Sequence, residues 1–451
     1  MTEETIAAIA TPAGKGGVGI IRVSGPNSQA IAQSILGFVP VARQATYCQF
    51  KANNEILDEG IALFFEGPNS FTGEDVLELQ GHGGPVVLDR LLKAIIQKEV
   101  RLARAGEFSL RAFLNNKIDL TQAEAIADLI NADSEQAAKS AVRSLTGKFS
   151  LQIHEMVAKL IELRTLVEAA IDFPEEEIDF IKEQAVEERV INLLGQVQQV
   201  LATAKQGALL QEGMTLVIAG KPNVGKSSLL NCLSGTESAI VTEIAGTTRD
   251  ILREHIHIDG MPLHIIDTAG LRETTDIVEQ EGMRRARAAM QSADLVLLMI
   301  DANKTKNIDE AIAKFYLQES QIKNIPLVVV ANKIDLTGET LGKELISNHD
   351  VIKISAKNEL GIENLKEYLK QYMGFNQNQE GVFIARQRHL TALQQAQDSL
   401  QHGLKVLQQQ HAGELLAEDL RQAQKQLGEI TGEFRSDDLL GEIFSSFCIG
   451  K

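Results

Sequence analysis

The chain has 451 residues, a hydrophobic content of 44% and a net charge of −17. This length is more than one hydrophobic core supports, so we expect two or three domains. The sequence has no apolar stretch of the roughly eighteen residues that span a bilayer, no signal peptide and only three scattered cysteines, which together predict a cytoplasmic protein that binds no membrane.

The first 85 residues contain short β-rich runs that are interrupted by proline. Five of the nine prolines fall in this region, and residues 19–23 (GIIRV) are one of the β-rich runs. Proline interrupts helices at a cost of about 3 kcal/mol, so this region predicts an α+β domain that ends near residue 118. Residues 11–19 are rich in glycine but lack the Lys-Ser/Thr end of a phosphate loop, and we interpret them as a mobile or close-packed loop.

Long stretches with little proline follow this domain. Pro174 is the only proline between residues 86 and 221, and none follows Pro326. Residues 121–130 and 390–407 repeat apolar residues at spacings of three and four, a pattern typical of helices. These two helical regions predict an all-α domain that another domain interrupts.

Residues 220–227 (GKPNVGKS) match the Gly-x-x-x-x-Gly-Lys-Ser phosphate loop at every position. A short apolar, β-branched run precedes the loop and a helical run follows it, which is the context that the motif requires. Such a loop folds its backbone N–H groups around a diphosphate at a helix N-terminus. We expect Lys226 to neutralise the β- and γ-phosphates and the Ser227 hydroxyl to hold magnesium.

Two later segments have the features of switch elements. Residues 246–250 (GTTRD) offer Thr248 as a second magnesium ligand. Residues 263–270 (LHIIDTAG) have the pattern of a strand that ends in Asp-Thr-Ala-Gly. Asp267 can therefore reach magnesium through water, and the Gly270 N–H can meet the γ-phosphate. This arrangement predicts a loop that senses hydrolysis.

The residue after that loop is unusual. Many GTPases place a glutamine there to orient the attacking water, but here the residue is Leu271, which cannot hydrogen-bond. Another group must orient the water, and the acidic stretch over residues 272–279 contains candidates. An arginine finger can contribute about 10³–10⁵ in rate, and Arg249 could be one or could equally be an exposed side chain.

The nucleotide base is indicated by two segments further along the chain. Residues 332–335 (NKID) follow an apolar run typical of a buried strand. The Asp335 carboxylate can accept hydrogen bonds from the N1–H and the exocyclic amine of guanine, whereas adenine offers no matching pair of donors. An unpaired buried polar group costs roughly 1–3 kcal/mol, so Asp335 favours GTP over ATP. Residues 355–357 (SAK) stand where a small loop backs the base.

This order of segments predicts a multidomain protein of α/β and α class. An N-terminal α+β domain precedes an all-α helical domain, and a Ras-like P-loop GTPase domain interrupts the helical domain. We place the boundaries at 1–118 for the N-terminal domain, 119–212 and 375–451 for the two helical parts, and 213–374 for the GTPase domain.

Three features resemble the potassium-activated GTPases: Asn223 in the phosphate loop, the GTTRD switch and the missing glutamine. More narrowly, residues 267–279 and the C-terminal residues 447–451 (FCIGK) resemble the MnmE (TrmE) family of tRNA-modification GTPases. This resemblance extends over essentially the whole chain. It implies that Glu279 orients the hydrolytic water.

The resemblance also implies a potassium ion in the position of an arginine finger. Its ligands would be the side chains or carbonyls of Asn223, Thr242, Ile244 and Thr247. The residues that we expect to contact GTP lie in the phosphate loop, the two switch segments and the two base motifs: Asn223, Val224, Gly225, Lys226, Ser227, Ser228, Thr242, Glu243, Ile244, Ala245, Gly246, Thr247, Thr248, Asp267, Thr268, Ala269, Gly270, Asn332, Lys333, Asp335, Ser355, Ala356 and Lys357.

For the N-terminal domain, the resemblance implies a dimer that binds formyl-tetrahydrofolate as a one-carbon donor. The residues implied are Arg22, Glu78, Lys117 and the terminal Lys451. A pterin ring needs a carboxylate facing its N–H groups and a glutamate tail needs cations, so these residue types suit the ligand. The sequence leaves the role of Cys448 open: it is either a buried thiol or a group that takes part in the modification chemistry.

By resemblance, the protein is a homodimer whose GTPase domains meet when GTP binds. Hydrolysis would control formation of an aminomethyl or carboxymethylaminomethyl group on carbon 5 of the tRNA wobble uridine, made with the flavoprotein MnmG (GidA). The chain has no visible FAD or NAD fingerprint, so FAD would belong to the partner alone. Because acidic faces oppose nucleic acid, we expect much of the positive surface for tRNA to come from that partner.

Two other functions compete with this interpretation. A ribosome-assembly GTPase of the Era or EngA kind would bind rRNA and modify nothing. It would need a Gly-x-x-Gly RNA module after the GTPase domain or tandem GTPase domains, and the C-terminal sequence contains neither. A signalling or scaffold protein that hydrolyses GTP only as a timer is the second alternative.

Overall fold

A computed structural model describes most of the chain in two compact units. The first unit comprises Met1–Ile130, Ser144–Val197 and Ala392–Lys451, and the second comprises Asn131–Arg143 and Gln198–Thr391. The residues that the structure describes are 4–132, 134–172, 180–234, 253–259, 261–267, 293–318, 325–374, 383–410, 413–433, 437–445 and 447–450. Within these ranges, no helix combines the length and the apolar character needed to cross a bilayer.

The first unit contains a six-stranded sheet with the order β3-β4-β5-β2-β1-β6. Its pairs are antiparallel except for the parallel pair of β1 and β6. The strands are β1 (Ile6–Ile9), β2 (Gly16–Ser24), β3 (Thr46–Ala52), β4 (Glu55–Phe65), β5 (Val76–Gly83) and β6 (Arg101–Leu102). The predicted β-rich N-terminal region is therefore confirmed.

Helices account for most of the remaining described residues. They are α1 (Ser28–Leu36), α2 (Pro85–Ile96), α3 (Glu107–Leu114), α4 (Leu120–Ile130), α5 (Glu135–Leu145), α6 (Lys148–Asp172), α7 (Phe180–Glu212), α8 (Lys226–Ser234), α9 (Ile308–Gln318), α10 (Ile362–Tyr372), α11 (Gln387–Gln410), α12 (Gly413–Thr431) and α13 (Asp437–Ser445). Both segments whose apolar spacing predicts helices are helical, in α4 and α11.

Alternation along β2 places its side chains on two different faces of the first sheet. Ile21 and Val23 are fully buried and pack with α1 and α2 in one hydrophobic core. Successive side chains of a strand point to opposite faces, so Arg22 lies on the other face. There it pairs in register with Glu78 of β5.

The helical part of the first unit packs against the N-terminal part. Helix α12 runs alongside α6, and Arg164 of α6 donates a 2.6 Å hydrogen bond to Gln424 of α12. Phe444 of α13 and the nearby Phe447 share a core with Phe113 of α3 and with α4. This core brings the end of the chain next to the N-terminal sheet.

The second unit contains a seven-stranded sheet with the order β12-β13-β11-β10-β7-β9-β8. The five central strands are parallel, and β8 and β12 are antiparallel edge strands. The strands are β7 (Met214–Gly220), β8 (Arg253–Ile258), β9 (Met261–Asp267), β10 (Leu295–Asp301), β11 (Leu327–Asn332), β12 (Gly342–Ile346) and β13 (His349–Lys353).

Apolar side chains cover both faces of this second sheet. Leu216 and Ile218 pack with α8 and α10 on one face, whereas Val217 and Ala219 pack with α9 on the other. A parallel sheet that is buried on both faces by helices binds its ligand outside the carboxyl ends of its strands. The carboxyl ends of β7, β10, β11 and β13 lie along one edge, and that edge collects the predicted phosphate and base motifs.

Candidate functional site

The phosphate loop connects β7 to α8, as its sequence predicts. Gly225 has φ of +106°, and a Cβ there would lie 2.2 Å from the Asn332 side-chain nitrogen, so the turn requires glycine. The buried Lys226 donates a 2.9 Å hydrogen bond from Nζ to the Gly220 carbonyl. Ser227 is exposed in the first turn of α8, where backbone N–H groups and the helix dipole favour an anion.

Asn332, at the end of β11, joins the base motif to the phosphate loop. Its side-chain nitrogen donates to the Val224 carbonyl over 2.8 Å. Its side-chain oxygen accepts from the backbone N–H groups of Lys333, at 2.8 Å, and Ala356, at 2.9 Å. This one buried side chain therefore connects the phosphate loop with both base motifs, which are far apart in the sequence.

The carboxylate predicted to recognise guanine is held in place by the loop predicted to back the base. Ser355 donates a 2.6 Å hydrogen bond from its hydroxyl to Oδ1 of Asp335. Because a carboxylate accepts several hydrogen bonds, this contact orients Asp335 and leaves it able to accept from a base.

Cys232 supports the same loop and was not predicted to take part in the site. Its sulfur donates to the Ala356 carbonyl over 3.1 Å from the middle of α8. Burial, and secondarily the Glu359 charge, raise the pKa of the Cys232 thiol, so it stays a protonated donor at neutral pH. In the sequence, only the position of Cys232 in the helical run after the phosphate loop pointed to a role in the site.

Lys333 links the base motif to the phosphate loop by a second route. Its Nζ donates to the Asn223 carbonyl and to Oδ2 of Asp301, each over 2.8 Å. Burial alone would raise the pKa of Asp301, but the hydrogen bond and charge of Lys333 outweigh it and the pKa is lowered. Asp301 is therefore ionised at neutral pH. Asp301 was not predicted as a site residue, although an aspartate at the end of an apolar run was a usable signal in the sequence.

Several predicted GTP and ion residues lie outside the described residues. Asp267 ends β9 beside Ile218 in register, but its side chain is not among those that the structure describes. The others outside the described ranges are Thr242, Glu243, Ile244, Ala245, Gly246, Thr247, Thr248, Thr268, Ala269, Gly270 and Glu279.

The residues implied for folate lie in the first unit, and two of them are in direct contact. Arg22 donates from Nε to Glu78 over 2.9 Å, and Gln80 donates to the other oxygen of the same carboxylate over 3.3 Å. The Arg22 guanidinium carbon lies 5.8 Å from the ring centroid of Phe71 and 5.6 Å from that of Phe108. Neither aromatic ring was predicted for this site.

Lys117 contacts the loop that carries Phe71, because its Nζ donates to the Pro68 carbonyl over 2.9 Å. The end of the chain contacts the same unit: Ile449 forms a β-bridge with Ala105. Cys448 is exposed, so the buried-thiol alternative is wrong. The terminal Lys451 lies outside the described residues.

The fold and the second-unit site define a class of protein. A doubly covered parallel sheet carries a phosphate loop with lysine and serine, and the Asn-Lys-x-Asp and Ser-Ala-Lys segments meet it at the same edge. These are the features of a P-loop GTP hydrolase.

Comparisons with known proteins identify the family. Residues 5–117 match the description "GTP-binding protein TrmE N-terminus", and residues 120–448 match "MnmE helical domain". A tRNA modification GTPase MnmE of Coxiella burnetii is 60% identical over 449 residues, 99% of each chain, and one of Shewanella amazonensis is 58% identical over 453 residues and all of both chains. The chain belongs to the MnmE (TrmE) family of tRNA-modification GTPases.

The resemblance stated from the sequence is therefore confirmed, as is GTP hydrolysis. Among solved structures, Aquifex aeolicus Era bound to GDP.AlF4- is 26% identical and covers 42% of this chain and 66% of its own. Its TM-score is 0.26, which is too low to support any conclusion about this chain.

Proposed function

We propose that this chain is the GTP-hydrolysing subunit for C5 modification of the wobble uridine (U34) in tRNA. The product would be an aminomethyl or carboxymethylaminomethyl group, made in the cytoplasm with the flavoprotein MnmG (GidA), which alone would hold FAD. The observation that carries the proposal is the joined phosphate and guanine site in a chain that is 60% identical to a tRNA modification GTPase along its whole length.

In the proposed hydrolytic site, the residues of the phosphate loop bind and orient the nucleotide. Lys226 would leave the Gly220 carbonyl to meet the β- and γ-phosphates, and Asp335 would accept from guanine. Magnesium would be held by Ser227 and Thr248, and it offsets phosphate charge when bound. Ser227 is exposed and lies at a helix N-terminus, which fits that ligand role.

We assign the position of an arginine finger to potassium, held by Asn223 with Thr242, Ile244 and Thr247. When bound, the ion offsets charge that develops as the terminal phosphate departs. The geometry of Asn223 supports this assignment: it has φ of +65°, it is exposed, and Lys333 already engages its carbonyl. Its side-chain amide is therefore the group best placed to meet a ligand.

Glu279 would orient the attacking water, because Leu271 cannot. GTP and potassium would bring two GTPase domains (residues 213–374) of a homodimer face to face. Hydrolysis would reverse this contact, and the helical domain (119–212 and 375–451) would pass the change to the N-terminal domain (1–118).

In the N-terminal domain we propose a formyl-tetrahydrofolate site. Glu78 would accept from the N–H groups of the pterin ring, and Arg22, Lys117 and Lys451 would pair with the carboxylates of the glutamate tail. The Arg22 side chain is 23% exposed and the Glu78 side chain is 14% exposed. This half-buried ion pair fits a prearranged site for a ligand that carries both hydrogen-bond donors and carboxylates.

The modification reaction is tested by mass spectrometry of wobble uridines. Cells that lack this chain should lose the C5 group, and wild-type chain should restore it, whereas Lys226→Ala should not. Uridines unchanged by loss of the chain would exclude a modification enzyme and would favour a ribosome-assembly or timer GTPase.

The ion assignment is tested by comparing GTP hydrolysis in potassium and sodium at equal ionic strength. Wild-type turnover should be at least about tenfold faster in potassium, since an arginine finger contributes about 10³–10⁵. Asn223→Ala should abolish the difference, while Asn231→Ala, an exposed asparagine on α8, should retain it. Equal wild-type rates in the two salts would refute the assignment.

The water-orienting role is tested separately. Glu279→Ala should lower turnover by orders of magnitude and leave GTP binding intact. Unaltered turnover would return the role to Glu273 or Glu281, so both should be substituted in parallel.

A further inference from the structure

The ammonium of Lys333 is held between two acceptors from different parts of the chain. One is the Asn223 carbonyl in the phosphate loop and the other is the Asp301 carboxylate at the end of β10, both at 2.8 Å. The next carbonyl of the loop, that of Val224, accepts from Asn332. Two consecutive side chains of the base motif thus bond two consecutive carbonyls of the phosphate loop.

Asp301 is the fixed member of this arrangement. It is only 7% exposed and pairs in register with Asn332. Its Oδ1 accepts from the Asn303 N–H over 3.1 Å, and its backbone carbonyl accepts from the N–H groups of Lys304 and Thr305. These bonds anchor the carboxylate to a buried strand.

Lys333 is the adaptable member, because a lysine has a flexible stem and an ammonium that donates in three directions. Its side chain is 30% exposed, so without a fixed acceptor it could turn to water. A bond between an ammonium and a carboxylate is about twice as strong as one between neutral groups. The carboxylate of Asp301 therefore decides where the ammonium rests.

We infer that Asp301 is a positioning residue of the GTPase site. By holding Lys333 against the Asn223 carbonyl, it keeps the left-handed turn at Asn223 and, with it, the shape of the phosphate loop. A loop already in its binding shape binds phosphates without an ordering cost, so loss of Asp301 should speed nucleotide release. The expected change in nucleotide release depends only on GTP binding by this chain. An expected change in the potassium dependence of hydrolysis rests additionally on the proposed function.

The test is the rate at which a fluorescent GDP analogue is released from the full-length chain. Asp301→Asn keeps the size of the side chain and an acceptor for Asn303 but removes the charge. We expect release about tenfold faster, equivalent to about 1.4 kcal/mol. The matched control is Asp350→Asn on β13, which loses an ion pair with Lys343 and should release GDP at the wild-type rate.

A double-mutant cycle separates positioning from general stability. If Asp301 acts through Lys333, the double variant Asp301→Asn/Lys333→Met should release GDP no faster than Lys333→Met alone. The inference would be overturned if the rate increases of the two single variants multiplied in the double variant. It would also be overturned if Asp301→Asn released GDP at the wild-type rate. If Asp301→Asn does not fold, Asp301→Glu should keep the charge and give a smaller increase.

The same variant tests the ion. Asp301→Asn should raise the potassium concentration for half-maximal hydrolysis several-fold. If wild-type hydrolysis does not depend on potassium, the ion assignment fails, and GDP release still decides the role of Asp301. If GDP release is unchanged while wild-type potassium dependence is clear, the inference about Asp301 fails and the ion assignment stands.

Discussion

Asn332 shows how much of the GTP site depends on single side chains. It is 2% exposed and uses its amide as a donor to the phosphate loop and as an acceptor from two backbone groups of the base segments. Such buried polar groups are costly unless every partner is in place. We therefore expect a substitution in the GTP site to preserve nucleotide binding only if it leaves the hydrogen bonds of Asn332 intact.

Asp335 offers a direct test of base recognition. In Asp335→Asn, the amide can donate where guanine also donates, so GTP affinity should fall by at least about tenfold. Xanthosine triphosphate, which has a carbonyl in place of the amine, should bind better to the variant than to the wild type. Competition binding measures both, and Asp309→Asn, on the exposed first turn of α9, should change neither.

Cys232 should contribute modestly to the same site. Because a thiol is a weak donor, Cys232→Ala should weaken GDP binding only about two- to threefold, and Cys232→Ser should bind like the wild type. Titration with labelled GDP measures both, with Cys48→Ala in the first unit as the control. Equal affinities for the alanine and serine variants would contradict a role for the donor.

At the scale of elements, a charge network ties the start of α3 to β6. Glu107 accepts from Arg101 at 2.6 and 3.0 Å, from the Arg104 N–H at 2.8 Å and from Arg111 at 3.2 Å. Arg111 also donates twice to Glu74, in the segment between β4 and β5. Helix α3 and the neighbouring loop are thus joined by ion pairs in a partly buried setting.

This network predicts acid sensitivity of the first unit. Burial would raise the pKa of Glu107, but hydrogen bonds from Arg101 and Arg104 outweigh it and lower the pKa from 4.5 to about 2. A carboxyl whose pKa is lower in the folded than in the unfolded chain stabilises the fold at any pH above its unfolded pKa. The contribution of Glu107 is therefore lost as the pH falls from 4.5 toward 2.

Urea unfolding at about pH 7 and about pH 3 measures this loss. Glu107→Gln should have a lower free energy of unfolding than the wild type at the higher pH. On acidification its free energy of unfolding should fall by less than that of the wild type. Glu414→Gln, an exposed acid in the first turn of α12, should follow the wild type at both. An equal loss in wild type and Glu107→Gln would show that this carboxylate does not cause the sensitivity.

On the scale of the whole molecule, the two units carry different parts of the proposed chemistry. The second unit contains the GTP site, and the first contains the Arg22–Glu78 pair. The C-terminal residues belong to the first unit, where Ile449 bridges to Ala105. A change at the end of the chain should therefore affect the proposed folate site without directly altering the nucleotide site.

Lys451→Ala tests this division. Loss of a cation for the glutamate tail should weaken formyl-tetrahydrofolate binding roughly tenfold in calorimetric titration, while GDP affinity stays the same. Lys425→Ala, an exposed lysine on α12, should bind both ligands normally. Parallel loss of GDP binding would mean that the substitution disturbs the chain more widely.

The amino-acid sequence alone determined the class of protein, because each nucleotide motif is a short contiguous segment that binds largely through its own backbone and one or two side chains. Residues 220–227 and 332–335 stand where they were predicted, at the carboxyl ends of β7 and β11. Hydrophobic spacing was likewise enough to predict α4 and α11, since a helix depends on local periodicity.

Only the tertiary structure decided how these segments support one another. Asn223 meets Lys333 across 110 positions, Cys232 meets Ala356 across 124, and Arg22 meets Glu78 across 56. No local pattern predicts such pairs, because their distances are set by strand order and register. Asp301 enters the site for that reason: its strand lies between β7 and β11, so its carboxylate ends beside the lysine that bridges them.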